Sequence, residues 1–506
     1  MLSQIDEGLD VLLLNSLPDG VLKIVLQHVS LKDRLTSCSL VNKRLRAAAV
    51  AATDQLSFGP CNQFRREARF VEYLNNYGKH VTRLHMDSIS GPIWMLPCPN
   101  LKDLSLSECD VLFVPGDFRL QGVIPGCTKL TRLKFLGTIL DAADENAAVE
   151  LNILSRLVHL QHLELMPLIP TKGCTLSVPT LPRLGHLTHL NVHKLSAENL
   201  TQLGALTKLQ ELELSANITP VGPSTVPGLT FPASLTKLVL GSGTAVEAAV
   251  LSILPVGLQH LAIECEVEGP GSFLAGMARL QCLTHLDLSS PQQIKLGPVG
   301  PAYAALTASS KLVEFKLLAG LLPEDAWRYM FHEAGMLPNL TSLIICDENF
   351  GASQTVPAPW GISDLWGVVR HCPNLCELPH VYLQHGDHVS YLQKLTGVTS
   401  VTLWYGGGYV EDVDESIEGL AAVAHLRDLT VYLYSLSEIT VDVLLPLTSL
   451  TALTDLKVVC SEADDPSDLD ADGSDTGSEA NLVFEVDVEQ VRQSGRCLTP
   501  AEPYAM

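Results

Sequence analysis

The chain has 506 residues and a formal charge of −23, with 46% hydrophobic, 6% aromatic and 18% charged residues. The apolar share is too high for a disordered chain, and the longest apolar runs fall short of the roughly 20 residues that span a bilayer. An acidic chain with no long basic stripe repels phosphate backbones, so neither nucleic acid nor a membrane is expected as a partner.

At the N-terminus, Met1 to Glu7 is acidic where a secretory signal would be basic, and the apolar stretch Val11–Leu14 is too short for a signal core. The 13 cysteines are odd in number and lack framework spacing, which predicts reduced thiols and a cytoplasmic or nuclear location. The Asn-x-Thr matches at Asn199, Asn217 and Asn339 are then chance. Charge is uneven: ten Lys/Arg against eight Asp/Glu leave residues 1–80 at about +2, so the remainder carries about −25.

Residues 16–46 predict three short helices. Ser16 is a candidate N-cap, Pro18 falls in the first turn, and Leu22, Val25 and Leu26 recur at helical spacing. A second helix is expected near Lys32 and a third near Val41. About 30 residues cannot bury a sufficient core alone, so the apolar face needs a partner. The order Leu17-Pro18-Asp19, an apolar helix, Leu31-Lys32-Asp33, then Leu40-Val41-Asn42-Lys43-Arg44 resembles an F-box, with Gly20 and Leu45 departing from the commoner residues. That resemblance implies docking on the Skp adaptor of a cullin–RING ubiquitin ligase through Leu17, Pro18, Leu22, Leu26, Leu31, Leu35, Val41 and Lys43. Farther on, Phe70, Val71 and Leu74 make one helical face, and Asn75 to Gly78 reads as its stop, which predicts a rigid connector.

From Val81 onward one pattern recurs, apolar-x-x-apolar-x-apolar, as in Leu101/Leu104/Leu106, Leu160/Leu163/Leu165, Leu187/Leu190/Val192, Leu283/Leu286/Leu288 and Leu453/Leu456/Val458. Leu375/Leu378 is a poorer copy. The mean period between Leu84 and Leu456 is about 27 residues, within the roughly 20–29 of leucine-rich repeats, and these residues identify that family. The last two apolar positions of each copy point to one face of a short strand, and their neighbours face solvent. Stacked copies share a core that no single copy can close. The expected fold class is therefore α/β, a leucine-rich-repeat solenoid or horseshoe preceded by a small trihelical F-box-like unit. Expected boundaries are 1–52 for that unit, 53–80 for a helical connector, 81–460 for the repeats, 461–480 for an acidic disordered insertion, and 481–506 for a last strand and tail.

Three clusters invite chemistry. Asp468 to Glu479 fits the calcium-loop pattern letter for letter, but Asp475 takes its apolar position and no apolar helix precedes it, so an acidic insertion is the expected reading. His371, Cys372, Cys376, His380, His385 and His388 have ligand types suited to zinc but not the usual spacing, so neither a metal nor any cofactor is expected. Histidines also stand one residue before the second strand leucine, at His162, His189, His260 and His285, where neighbours would lie about 5 Å apart on the concave face.

Phosphate loops, dinucleotide fingerprints and nucleophile elbows are all missing from the sequence, which argues against an enzyme. The expected function is a non-catalytic one: the F-box docks on the Skp-type adaptor and the repeats hold an unknown protein substrate for ubiquitin transfer by proximity. Central outward positions, His162, Glu164, His189, Asn191, Glu211 and Glu213, are the candidate substrate contacts. The alternative is a leucine-rich-repeat scaffold with no ubiquitin role, whose N-terminal helices serve as a cap.

Overall fold

The computed structural model describes residues 17–29, 33–58, 72–88, 98–107, 113–114, 117–118, 126–139, 148–150, 152–168, 175–178, 181–193, 195–215, 221–241, 246–265, 267–268, 270–288, 300–318, 326–331, 335–346, 367–368, 370–382, 393–394, 397–405, 417, 419–433, 445–461 and 481–485. They fall into two compact units, Met1–Thr219 with Val226–Leu235, and Pro220–Thr225 with Thr236–Met506.

The first unit opens with helix α1, Asp19–Gln27. Pro18, not Ser16, holds its N-cap position: the Pro18 carbonyl accepts the Leu22 N–H at 2.9 Å, and Asp19 in the first turn suits the helix dipole. Ser16 lies outside the described residues. A wide helical turn, Arg34–Cys38, runs into Ser39–Val41, and the extended backbone of Asn42 breaks the helix there. The Asn42 side chain then accepts the Leu45 N–H at 2.8 Å and starts helix α2, Lys43–Ala52. Leu22, Leu26, Leu45, Ala48, Ala49 and Ala52 form the core of this bundle, with Leu17, Val29 and Cys38 packed against it.

Helix α2 leads almost directly into the repeats. Thr53 is fully buried, its Oγ1 donates to Ala49 O at 2.8 Å, and Arg34 Nη1 donates to Ala52 O at 2.7 Å. Two residues later strand β1 begins, Gln55–Phe58, in parallel register with β2, Arg83–Asp87. A purely helical connector over 53–80 is thus corrected: the repeat pattern already stands at Thr53, Leu56 and Phe58, with threonine in the first apolar place. The helix over 72–77 buries Leu74 and gives way to a tight turn at Gly78–His80, at the last residue of the Asn75–Gly78 stop.

Parallel strands follow in chain order: β3 (Asp103–Ser107), β4 (Arg132–Ile139), β5 (His162–Leu168), β6 (His189–Val192) and β7 (Glu211–Leu214). Each pairs with the next through its repeat leucines, Leu84↔Leu104, Leu104↔Leu133, Leu133↔Leu163, Leu163↔Leu190 and Leu190↔Leu212. The three apolar positions of every copy here are buried, for example Leu187 and Val192 at 0% and Leu190 at 2% exposure.

A hydrogen-bond ladder fixes each strand entry. Two successive N–H groups donate to one carbonyl of the preceding repeat: residues 82 and 83 to Asp54 O, 102 and 103 to Thr82 O, 131 and 132 to Lys102 O, and 161 and 162 to Thr131 O. Where threonine stands just after the first leucine, its hydroxyl adds a third donor, as Thr131 Oγ1 to Lys102 O at 3.0 Å and Thr188 Oγ1 to Gln161 O at 3.0 Å. The first rung is Asp54 O, two residues beyond α2, so the helical unit and the ladder share one short stretch of backbone. Buried Asn199 adds a side-chain link between repeats: it accepts from Val178 N and donates to Val178 O, both at 2.7 Å. Its side chain is therefore closed to glycosylation in the fold; Asn217 lies outside the described residues.

The second unit repeats the scheme with β8 (Lys237–Leu240), β9 (His260–Ile263), β10 (His285–Leu288), β11 (Glu314–Leu318), β12 (Ser342–Cys346), β13 (Glu377–Tyr382), β14 (Ser400–Tyr405), β15 (Asp428–Leu433) and β16 (Asp455–Ser461). A final strand β17, Asn481–Glu485, runs antiparallel to β16 and covers its edge. Leu375 and Leu378 are genuine repeat core, buried at 1% and 0%. The copy looked poor because Pro379 and His380 follow Leu378: register with β14 slips between Leu378 and Val381. Proline cannot donate to the ladder, and a bulge at that point accommodates it.

Return segments are mostly short 3₁₀ turns, among them Asn152–Arg156, Leu203–Ala205 and Ala248–Ile253. In the second unit, Phe273, Tyr303 and Trp327 fill the space behind the strands, all at 2% exposure or less.

Candidate functional site

Two surfaces stand out, and the first is on the helical bundle. Helix α1 is apolar on more than one face. Leu22 and Leu26, four apart, point inward at 0% and 2% exposure, whereas Val21, Ile24 and Val25 face out at 43%, 58% and 38%. Leu40 and Val41, at the end of the second helical segment, are exposed at 85% and 50%. Only three other large apolar side chains are this exposed among the described residues, Val158, Val256 and Met336, and they belong to separate repeats. Arg44 ties the entry of the bundle together, with Nη2 2.8 Å from Asp19 Oδ1 and a second hydrogen bond to the Leu17 carbonyl.

This placement changes the candidate docking residues. Leu22 and Leu26 are buried in the bundle's own core. Pro18, Val41 and Lys43 are exposed, Leu17 is half-buried, Leu35 lies in the Arg34–Cys38 turn, and Leu31 lies outside the described residues. Val21, Ile24 and Leu40 were absent from the motif-based set. Their signal was available: the apolar arc of α1 is wider than the face that Leu22 and Leu26 bury, and a helix with surplus apolar surface expects to be covered.

The second surface is the outward face of β4 to β7, where every sequence-derived substrate candidate falls. Register puts Arg132, His162, His189 and Glu211 in one row, and Lys134, Glu164, Asn191 and Glu213 in the next. Lys134 Nζ reaches Glu164 Oε2 at 2.6 Å, and His189 Nε2 reaches Glu211 Oε1 at 3.0 Å. The His162 and His189 rings lie 5.3 Å apart. Burial pushes the His162 imidazole below its ordinary range; contact with Glu164 opposes this, and Lys134 and His189 reinforce it. His162 Nε2 is 3.5 Å from Glu164 Oε2 without forming an aligned hydrogen bond, and neither it nor Asn191 Oδ1 has a hydrogen-bond partner, although both atoms are shielded from water.

A comparable pair sits in the second unit, where His260 and His285 stack with ring centres 4.1 Å apart. Beside them, Lys316 Nζ lies 2.8 Å from Glu314 and 3.8 Å from Asp287.

For the cysteine–histidine cluster, His371 is 4% exposed with Nδ1 2.7 Å from Gly367 O, and Cys372 is fully buried with its thiol pushed up to about 12 by burial. Cys376 Sγ lies 3.2 Å from Thr341 O, the place threonine takes in other repeats. His385 and His388 lie outside the described residues, as does the 468–479 loop. Among the described residues no group of three or more potential ligands could hold a metal ion, and no helix is long and apolar enough to cross a membrane.

Residues 14–50 match the F-box domain model. Similar solved structures include an internalin (inlF) from Listeria monocytogenes, at 16% identity over 77% of this chain and 89% of that one, with a TM-score of 0.37. A novel circular leucine-rich-repeat protein, CroV588, aligns at 14% identity over 81% of this chain and 50% of that one, with a TM-score of 0.43. The leucine-rich-repeat protein LegL7 from Legionella pneumophila aligns at 14% identity over 52% and 87%, with a TM-score of 0.33. No curated protein matches the chain. The molecule is built of parallel strands on a leucine-rich repeat, preceded by a small helical bundle. With the F-box at residues 14–50, that combination is the make-up of an F-box/leucine-rich-repeat protein.

Proposed function

We propose that the protein is a substrate-recognition adaptor of an SCF-type cullin–RING ubiquitin ligase, working in the cytoplasm or nucleus. The F-box docks on a Skp-type adaptor, and the outward face of the repeats holds a protein substrate. The protein forms and breaks no bonds itself; it raises the concentration of substrate lysines near the charged conjugating enzyme. The observation that carries this reading is an F-box domain whose bundle leaves Val21, Ile24, Val25, Leu40 and Val41 exposed. Burial of one such side chain in an interface is worth about 1.5–3 kcal/mol.

Gel filtration of the purified chain with a purified Skp adaptor provides the test. A 1:1 complex is expected for the parent, and Ile24→Asp combined with Leu40→Asp is expected to abolish it without changing the melting temperature. If the folded parent elutes alone, the helices become a cap on the first strand, and the protein becomes a leucine-rich-repeat scaffold outside the ubiquitin pathway. The direct passage from α2 into the ladder at Asp54 O is the observation that favours that second reading.

A further inference from the structure

The turns that lead into β4 to β7 are built alike. In each, the N–H of the first repeat leucine donates to the carbonyl three residues back: Leu130 to Cys127 at 3.1 Å, and Leu160 to Leu157, Leu187 to Leu184 and Leu209 to Leu206 at 2.9 Å. The residue just before that leucine therefore takes the same place in every turn, and it is Lys129, His159, His186 and Lys208. Arg156 and Arg183 stand three residues earlier in the two middle turns. All six side chains are exposed, and none of the segments 126–131, 154–161, 181–188 and 203–210 contains Asp or Glu. The sequence shows no basic run, because these residues are spread over four repeats; the fold gathers them along one edge of the first unit.

What sets this edge apart from the neighbouring strand face is the lack of countercharge. On the strands, Lys134 Nζ lies 2.6 Å from Glu164 and Arg132 lies 3.8 Å from Asp103. On the edge, Lys129 Nζ donates to Asn100 Oδ1 at 2.7 Å, and Lys208 Nζ lies 3.1 Å from His186 Nδ1. An ammonium can only donate, so the ring nitrogen accepts, and neither acceptor carries a negative charge. Arg156 and Arg183 pair with no carboxylate among the described residues. The His159 and His186 rings are 6.4 Å apart, which makes the row continuous from one turn to the next. Val158, between Arg156 and His159, is 46% exposed and adds an apolar contact to the stripe.

These features narrow the partner. Exposed cations with no carboxylate of their own, in a chain of charge −23, call for acidic groups from outside. Three repeat steps of about 4.8 Å separate Lys129 from Lys208, roughly the span of four extended residues. An exposed valine inside the stripe suits an apolar side chain and offers nothing to a phosphate backbone. The acidic remainder of the chain also repels a long polyanion more than a short one. Resting on the reading that the repeats bind a protein, we infer that the edge leading into β4 to β7 docks a short, extended acidic segment of the cargo. Its carboxylates meet Lys129, Arg156, Arg183 and Lys208, and an apolar residue between them rests on Val158.

Fluorescence anisotropy of the full chain with labelled short peptides reads this out, one carrying glutamates around a central leucine, one with glutamine in their place and one with lysine. A single-stranded oligonucleotide of similar length serves as the fourth probe. The glutamate peptide is expected to bind best, and to weaken as salt screens the contact. Arg156→Glu combined with Arg183→Glu is expected to weaken it about tenfold, the scale of two exposed ion pairs turned repulsive, with the melting temperature unchanged. The same variant is expected to gain affinity for the lysine peptide, and a gain cannot come from misfolding. No binding of the glutamate peptide, equal binding of the glutamine peptide, or indifference to the charge reversal would overturn the docking edge. Tighter binding of the oligonucleotide would also overturn it and assign the stripe to phosphate. Co-elution with the Skp adaptor is measured on the same samples. Adaptor binding with peptide failure removes the docking edge and leaves the ligase reading, while peptide binding without the adaptor does the reverse.

Discussion

The helical bundle and the strand repeats are made from the same leucine-rich composition yet use it in opposite ways. In the repeats, leucines three and two apart all turn inward, and copies such as Leu187/Leu190/Val192 are 2% exposed or less. In the bundle, six residues form the core, and Val21, Ile24, Val25, Leu40 and Val41 stay in water. A repeat finds its partner in the next repeat, so its apolar surface is closed within the chain. Among the described residues the bundle has no such neighbour over these five side chains, and under the proposed function they are what a partner would cover.

The sharpest way to break this contrast is to truncate matched leucines and outward residues. Leu190→Ala, in the first unit, and Leu22→Ala, in the bundle, each empty a fully packed site and are expected to cost about 2–5 kcal/mol of stability. Ile24→Ala, two residues from Leu22, should shift stability by less than about 0.5 kcal/mol while weakening adaptor binding. Urea unfolding monitored by circular dichroism measures all three. A large loss from Ile24→Ala would mean that this side chain is covered within the chain, and the exposed set would no longer mark an interface.

Much of this was legible from sequence, because the strand signal is a spacing of apolar residues and spacing survives irregular repeat lengths. The copies from Val81 onward, the helices around α1 and α2, and the outward row through His162, His189 and Glu211 all follow from period and alternation alone. Strand β1 escaped because Thr53 stands in an apolar place, and a buried threonine that bonds back to Ala49 O does not read as core. The slip at Val381 escaped because it is a backbone matter, caused by a proline inside a strand. On α1, the motif named Leu22 and Leu26 by residue type, and only the packed bundle shows that both lie in its core. The orphan atoms of His162 and Asn191 depend on side-chain rotamers across two strands, which no spacing encodes.

A second kind of closure operates in the second unit, where a buried charge does what leucine does elsewhere. Glu247, 9% exposed, accepts hydrogen bonds from Ser224 N at 3.0 Å, Ser224 Oγ at 2.7 Å and Thr225 N at 2.8 Å. The approach is tight: a Cβ on Gly222 would lie 2.3 Å from the Glu247 carboxyl carbon, so only glycine fits there. Burial by itself would raise the carboxyl pKa, but the hydrogen bonds from Ser224 and Thr225 outweigh it and hold the group below the usual carboxylate range. A depressed folded-state pKa contributes stability that is present above the unfolded value and is lost as pH falls through the folded one. Glu247→Gln is therefore expected to cost about 1–3 kcal/mol at neutral pH. The difference from the parent should shrink in acid, below the ordinary glutamate range. Melting temperatures of both proteins from pH 7 to pH 3 test it, and a gap that stays constant with pH would assign the effect to shape rather than charge.

The smallest expected effect concerns the ladder, where repeats with and without threonine can be compared directly. Thr131 Oγ1 donates to Lys102 O at 3.0 Å, whereas the next rung has Gln161, whose backbone N–H donates to Thr131 O without a hydroxyl beside it. Thr131→Val keeps the shape and removes the donor, and should cost about 0.5–1.5 kcal/mol. Gln161→Thr supplies the missing donor with a side chain that suits an extended backbone, and should stabilise by a similar or smaller amount, about 0.5 kcal/mol. The two carbonyls differ only in what points at them, so opposite signs in urea unfolding would assign the threonine after the first leucine a structural purpose of its own. If Thr131→Val leaves stability unchanged, the paired N–H groups already satisfy each carbonyl, and the threonines matter only through their methyl groups.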